Sequence, residues 1–397
     1  MQSVWGAPLR RPVRPERSPY EGPILTLLRD NGPSSRTRLA ELTGLSPTTI
    51  TKVVAPLVDS GLLQESIDES TSRIGRPAVT LTPRPEAVTV CGVQLSVGKI
   101  TIGLADANAR VRRVSHVEFS PEAEPFVVLQ LIADSVAGLL AEEPERTCIG
   151  IGIGVPGTVE EGHRVVRLLV NLDWREVPVS DYLEDQLGIP VVVEHGGRSM
   201  ALAEARYGNH NADTLAYLNV RSGVGLGLAF KGRSFYGGAD RESYLGHTRV
   251  VEDGERCSCG ARGCLETVVA EPYVRRALSR ISRTERTDIG VFEWLREEIA
   301  GGNASAVALQ DEILEHLATA VSNVVNLFTP GLVLLGGILS EASPTLISVL
   351  REQVRGRIFP LLRDDFRLES TDSGDDAAVR GGAAFALEAL HYGYEGR

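Results

Sequence analysis

The 397-residue chain is poor in lysine, methionine and tryptophan, with three, two and three of them. Its basic charge is therefore almost all arginine, a bias that fits a GC-rich genome and carries no function. No stretch approaches the roughly 18 consecutive apolar residues of a membrane helix. Met1 to Glu21 is rich in Arg and Pro and has no apolar core segment, so no secretory signal is expected. The five cysteines are odd in number, and three fall between positions 257 and 264. That is a poor disulfide framework and a better metal cluster, in keeping with a reducing cytoplasm. Positive charge is also in deficit, 41 Lys+Arg against 52 Asp+Glu, which excludes a generally basic nucleic-acid binder.

Apolar residues make up 43% and charged residues 23%, ordinary for a globular protein. The length exceeds one ordinary core, so two or three domains are expected. Charge is unevenly spread. Residues 1–85 carry 11 basic and 8 acidic side chains, and the remainder is strongly acidic. A mildly basic head on an acidic body points to separate tasks. We expect a disordered tail over 1–20, a head over 21–82 and a body over 88–395.

The head reads as helix-turn-helix. Pro23 to Asn31 predicts a short helix with Ile24, Leu27 and Leu28 on one face. Ser35 is placed to cap a second helix with Leu39 and Leu42 inward. Ser46 is placed to cap a third, with Pro47 at its first position. That helix has a clean stripe of Ile50, Val53, Val54, Leu57 and Val58. It exposes Thr48, Thr49, Thr51 and Lys52, which with Ser46 suit the edges and phosphates of a major groove. Residues 62–66 and 78–81 predict the strands of a wing. Its tip carries Arg73 and Arg76, the latter between Gly75 and Pro77 and thus held extended for a minor groove. A helical protein-interaction module is the competing reading of the same core pattern.

From Val88 the pattern changes to strands alternating with helices, which implies a mixed α/β sheet. The strand-rich runs at 88–95, 99–105, 111–119 and 148–155 and the helix at 126–141 are echoed later. The echo comprises a hairpin over 215–231, a long helix at 306–328 and a buried strand at 332–335. Six segments occur in order: Ile151 to Gly157, Asn171 to Trp174, Val193-Glu194 with Ala201 to Glu204, Gly246-His247, Cys257 to Glu266, and Gly336 to Ser340. Together they resemble the ROK family of sugar kinases and sugar-responsive repressors, over about Pro23 to Tyr392. The resemblance implies a multidomain α+β fold. A winged helix-turn-helix would precede a two-lobed, actin-like, ribonuclease H-type α/β body with a sugar cleft.

Cys257, Cys259, Cys264 and His247 together satisfy tetrahedral Zn²⁺, and with no open position the site would be structural. Reduced surface thiols are the alternative. Against the kinase pattern two groups are missing. Gln94 stands where the first phosphate loop has its Asp, and Gly196 stands where the family has its base. His195 precedes the base position rather than filling it. We expect a non-enzyme. An ATP-dependent sugar kinase with an accessory head is the alternative.

Asn171, His247 and Glu266 match sugar-contacting positions of the family, while Tyr244 replaces a Glu. Arg198 and Arg221 are additions. These changes suggest an effector site of Asn171, His195, Arg198, Tyr244, His247 and Glu266, with an anionic sugar derivative gripped by arginine. Solvated or internally paired arginines, or a body serving only dimerisation, are the other readings. Homodimers or dimers of dimers on a palindromic duplex DNA operator are expected. No membrane partner is expected. The two prolines of the segment 82–86 suggest a semi-rigid connector.

Overall fold

The computed structural model describes residues 18–67, 79–235, 242–371 and 376–393. The arginine-rich tail and the wing-tip residues Arg73 and Arg76 lie outside them.

The head opens with α1 (Glu21–Asn31), β1 (Ser34–Ser35), α2 (Arg36–Thr43) and α3 (Pro47–Asp59). Both serine caps form. Ser35 Oγ accepts from the Arg38 amide at 3.2 Å and Ser46 Oγ from the Thr49 amide at 3.1 Å. Each satisfies an amide that the first turn leaves without a partner. Between the helices Gly44 adopts φ 70°, and its amide closes α2 on the Ala40 carbonyl. Ile50, Val53, Val54 and Leu57 are buried as the stripe requires. Leu42 is not: it is 39% exposed, because α2 is only eight residues long and presents Leu39 alone to the core. The wing strands β2 (Leu63–Ile67) and β3 (Val79–Pro83) pair antiparallel, and β1 adds a third strand through Ser34 and Ser35.

The body has two lobes. The first contains β4 (Thr89–Ser96), β5 (Lys99–Ala105), β6 (Val111–Glu118), α4 (Pro125–Ala141) and β7 (Cys148–Val155). A small sheet of β8 (Thr158–Val159), β9 (Val166–Leu169) and β10 (Trp174–Val177) follows. Then come α5 (Val179–Leu187), β11 (Val191–His195) and α6 (Gly196–Tyr207). The second lobe contains β12 (Thr214–Val220), β13 (Val224–Phe230), β14 (Arg233–Ser234), α7 (Glu266–Val269), α8 (Glu271–Ser282), α9 (Val291–Ala300) and α10 (Ala304–Phe328). It ends with β15 (Leu332–Gly337), α11 (Pro344–Arg357), β16 (Leu368–Ser370) and α12 (Asp376–Ala386).

The two main sheets share one topology. Their orders are β6-β5-β4-β7-β11 and β14-β13-β12-β15-β16. In each, an antiparallel hairpin is extended by parallel strands. The echo between the halves is thus a duplicated fold. Each half then lends a helix across the cleft. α6 follows the first sheet but packs on β13 and β12, and α12 follows the second but packs on β4 and β7. Glycine makes both approaches possible. A β-carbon at Gly152 would lie 2.0 Å from the Gly382 carbonyl oxygen, and one at Gly227 would lie 1.9 Å from that of Gly197.

Head and body share a core. Ile24, Leu25, Leu28, Leu39 and Leu81 pack in one cluster with Val88, Val90, Ala107, Leu387 and Tyr392. The 82–86 segment is therefore not a free spacer. It continues β3 into a single 3-10 turn at Pro85–Ala87 that enters β4. No helix among the described residues is long and apolar enough to cross a membrane.

Candidate functional site

The lobes enclose a cleft of about 870 Å³. Strand ends and helix starts deliver its lining, as in other α/β folds. Asn171, His195, Tyr244, His247 and Glu266 all line it, as do Gln94, Gly196 and Arg221. Five of the six expected effector residues are thus brought together from both lobes. Tyr244 also closes across them: its hydroxyl lies 3.1 Å from Thr158 Oγ1. Asn171 sits in the single turn at Val170–Leu172 that joins β9 to β10.

Arg198 is the exception. Its side chain is buried in α6 and does not line the cleft. Nε donates to Glu194 Oε1 at 2.9 Å, Nη2 donates to the same oxygen, and Nη2 lies 3.0 Å from Glu242 Oε1. The expectation that it grips an anion is overturned, because carboxylates of the protein already take its fork. His195, at the end of β11, keeps its imidazole neutral. Burial, with Arg198 beside it, lowers its pKa to about 4.

Glu242 was not foreseen. It lines the cleft, yet its side chain is 1% exposed, and burial pushes its carboxyl up to about 8 against the pull of Arg198. The available signal was a Glu two residues before Tyr244, the position where the family's carboxylate is missing.

The kinase positions are now explicit. Gln94, on β4, is buried and donates Nε2 to the Leu95 carbonyl at 2.9 Å. Gly196 opens α6 directly beneath it. No carboxylate stands at either place.

Beyond Glu266 the second lobe carries a cluster of one histidine and three cysteines that could hold a metal ion. The donor atoms of His247, Cys257, Cys259 and Cys264 all lie within 4.8 Å of one another. Cys259 Sγ is 3.7 Å from Cys264 Sγ, and Cys257 Sγ is 3.6 Å from His247 Nδ1. Zinc–sulfur bonds of about 2.3 Å at tetrahedral angles imply sulfur separations of about 3.8 Å, so the donor set fits. Gly260 and Gly263, at φ 93° and 70°, turn the loop around it. The loop also holds Glu266 in place. Oε1 accepts from Ser258 Oγ at 3.4 Å, and Oε2 accepts from the Val224 amide at 3.2 Å.

On the head, Thr48, Thr51 and Lys52 are exposed along α3. Ser46 and Thr49 pair with each other at the surface, Oγ to Oγ1 at 2.8 Å, so their first role is the cap.

The head meets the body at a polar junction that sequence reasoning missed entirely. Arg29 of α1 donates to the buried Glu388, and its guanidinium lies 4.1 Å from the Tyr392 ring centre. The Tyr207 hydroxyl, at the end of α6, donates to Glu388 Oε1 at 2.7 Å. Arg206 faces Asp30 at 3.5 Å. α6 therefore runs from the cleft at Gly196 to the head at Tyr207. α12 likewise runs from cleft-lining Ala377 to the turn that bears Glu388.

A winged helix-turn-helix joined to a two-lobed actin-like body, with a cleft and a His/Cys loop, defines a class containing both sugar-sensing regulators and sugar kinases. The chain belongs to the ROK family, whose model matches residues 90–389, and a winged helix-turn-helix DNA-binding model matches residues 23–64. It is similar to the xylose repressor of Bacillus spizizenii, 25% identical over 92% of this chain and 94% of that one. It is similar to the DNA-binding transcriptional repressor Mlc of Escherichia coli, 26% identical over 94% and 93%. A ROK family transcriptional regulator, described as a homologue of the E. coli Mlc protein, superposes with a TM-score of 0.77, 26% identity and 94% and 96% coverage. The ROK glucokinase of Streptomyces griseus, solved with glucose and AMPPNP, covers 76% of this chain and 99% of its own, with a TM-score of 0.65 and 25% identity.

Proposed function

We propose that the chain is a DNA-binding transcriptional repressor of the cytoplasm whose body senses a sugar-like effector without phosphorylating it. The observation that carries the sensing half is the pair Gln94 and Gly196. A sugar kinase needs a base within hydrogen-bond reach of the attacking hydroxyl and an anionic ligand for Mg²⁺. Position 196 has no side chain, and position 94 offers a neutral amide. The winged head and the full-length likeness to named repressors support the DNA-binding half.

In this reading Thr48, Thr51 and Lys52 contact the major groove, Ser46 and Thr49 fix the helix start there, and Arg73 and Arg76 reach the minor groove. Two copies read a palindrome. Asn171, His195, Tyr244, His247 and Glu266 hold the effector. Arg198 leaves the effector set and orders the carboxylates behind it. His247, Cys257, Cys259 and Cys264 hold a structural Zn²⁺, which when bound cross-links the loop that carries Glu266. Effector binding draws the lobes together and moves α6 against α12. Both helices end on α1, so the head shifts and operator affinity falls.

The test is a genomic-fragment selection with the full chain, followed by titration of a recovered fragment at two salt concentrations. A short palindrome bound with steep salt dependence supports the reading. A coupled nucleotide-hydrolysis assay across common sugars runs alongside. Sugar-dependent turnover would replace this reading with that of a kinase bearing a DNA-binding head.

A further inference from the structure

We propose that Cys259 is an oxidation site: a peroxide entering the cleft joins it to Cys264 in a disulfide and dismantles the His/Cys cluster. This goes beyond the sensing reading, since it assigns a chemical modification and depends on no effector. Among the five cysteines Cys91, Cys148, Cys257 and Cys264 are buried, and Cys259 alone is exposed. Cys259 also lines the cleft beside Ser258, so the one exposed cysteine belongs to the cleft wall. Cysteine oxidation follows exposure and thiolate character. A peroxide, with two oxygen atoms, is far smaller than a cleft of about 870 Å³. Zn²⁺, when bound, keeps its sulfur ligands deprotonated.

The second sulfur is already in place. Cys259 Sγ touches Cys264 Sγ at 3.7 Å. A disulfide of about 2.05 Å needs the pair to close by about 1.7 Å. The two ends of the loop differ in their freedom to do so. Next to Cys264, a β-carbon at Gly263 would lie 1.8 Å from the Val251 carbonyl oxygen, and the Gly263 carbonyl accepts from the Val250 and Val251 amides at 2.8 and 3.1 Å. Next to Cys259, a β-carbon at Gly260 would meet nothing within 4 Å. Cys264 is therefore the anchored, buried partner and Cys259 sits on the open corner that moves. Cys257 is the less suited partner, because its buried Sγ rests 3.6 Å from His247 Nδ1.

The chemistry balances in two steps. The Cys259 thiolate attacks one peroxide oxygen, the O–O bond breaks, and a sulfenic acid and a hydroxide form. The Cys264 thiolate then attacks the Cys259 sulfur, the S–O bond breaks, and a disulfide and a second hydroxide form. The sulfur pair gives up two electrons and the peroxide takes them. Cys259 and Cys264 are two of the four donors of the cluster, and the thiolate rather than the disulfide is the metal ligand. His247 and Cys257 remain, too few for a structural site. Ser258, the neighbour of Cys259, donates to Glu266 Oε1 at 3.4 Å, so the same movement disturbs the cleft. A dithiol reverses the bond by exchange.

The experiment treats the full, reduced chain with stepwise hydrogen peroxide, traps the remaining thiols by alkylation and maps every cysteine by peptide mass spectrometry without reduction. A chromogenic zinc chelator reads metal release in the same samples. The first product is expected to be the Cys259–Cys264 disulfide, with Cys91 and Cys148 still reduced. Zinc should leave in step with that disulfide, and dithiothreitol should restore both thiols. Cys259→Ser removes the exposed thiol and should slow peroxide-driven zinc release at least about tenfold. Should that variant fold poorly or hold no zinc, the wild-type map decides alone, as it does for a chain isolated without metal. A first product at another cysteine overturns the inference. So does a sulfinic acid at Cys259 with no disulfide, a complete disulfide that leaves zinc in place, or wild-type release from a folded, zinc-loaded Cys259→Ser chain. Operator binding before oxidation is scored separately. Its absence would remove the regulator reading and leave a mapped Cys259–Cys264 disulfide standing.

Discussion

The side-chain amide of Gln94 lies against Gly196, where an added side chain would crowd it. A β-carbon added at Gly196 would lie 3.1 Å from Gln94 Nε2 and 3.3 Å from Oε1. The amide is held there by its bond to the Leu95 carbonyl. A neighbouring glycine, Gly154, leaves room for the same amide: a β-carbon there would meet Oε1 at 2.4 Å. Positions 94, 154 and 196 are thus one packing solution, in which a neutral amide lies against two glycines.

Restoring the base alone should therefore fail. Gly196→Asp is expected to lose about 1–3 kcal/mol to overpacking and to show no sugar-dependent ATP turnover. Adding Gln94→Asp removes the obstruction, so the double variant should melt above the sum of the two single losses. Strictly additive melting shifts in a double-mutant cycle would show that the two positions do not share this space.

Arg198 and Glu242 should respond unequally. Arg198 stands between two buried carboxylates, so Arg198→Met leaves both uncompensated and is expected to cost about 3–5 kcal/mol. Glu242→Gln leaves the neutral Arg198–Glu194 pair intact and should be tolerated. Chemical denaturation of both variants checks the order. An Arg198→Met chain as stable as wild type would contradict the ion-pair role given to it here.

The same cluster fixes a pH signature. The Glu242 carboxyl is raised to about 8 in the folded chain from an ordinary 4.5, chiefly by burial. A raised pKa means that its stabilising contribution is complete below 4.5 and is lost as pH climbs through 8. Arg198, Glu194 and His195 face it. His195, lowered to about 4, is neutral in both states above pH 7. Between pH 7 and 8 wild type should therefore lose melting temperature relative to Glu242→Gln, and above 8 the gap should level off. A constant gap across that window would mean the carboxyl titrates normally.

The elements of the head and body were legible because their signals are local: serine caps, a proline at N1, a helical stripe, alternating strands. The clustering of His247 with Cys257, Cys259 and Cys264 was legible for the same reason, since the cysteine spacing encodes one short loop. Leu42 misled because a two-turn helix has room for one inward residue. Arg198 misled because a charge read along the chain carries no hint that Glu194, four residues back on the preceding strand end, faces it in space. Glu242 and the Arg29–Glu388 junction were invisible because their partners lie tens to hundreds of residues away. Only the fold brings them together.

Metal removal gives a prediction with two readouts. The donors bridge residues 247 to 264, and Glu266 is tied to that loop by its bond to Ser258 while its other oxygen accepts from Val224 on β13. One Zn²⁺ per chain is expected by elemental analysis. Chelation, or Cys264→Ser, should lower the melting temperature and weaken effector binding together. Operator binding without effector should persist, because the core shared by head and body contains no residue of this loop. A metal-free chain with full effector response would remove the loop from the sensing site.

The head–body junction should transmit the effector signal. Tyr207 ends the helix that begins at the cleft, and its hydroxyl bridges Glu388 at 2.7 Å and Arg29 Nη1 at 3.3 Å. Tyr207→Phe deletes that bridge and keeps the ring, costing about 1–3 kcal/mol because Glu388 stays buried and loses a donor. Apolar packing between α1 and the body remains, so the head should stay docked and bind its operator with nearly wild-type affinity. Effector addition should then release the operator less completely, since movement of α6 no longer acts on Arg29 directly. The measurement is operator affinity with and without effector, in wild type, Tyr207→Phe and Arg29→Met. A ratio unchanged in both variants, with stability lowered as expected, would make the junction an adhesive between head and body and nothing more. A ratio that falls in both, at unchanged effector affinity, would identify it as the coupling element.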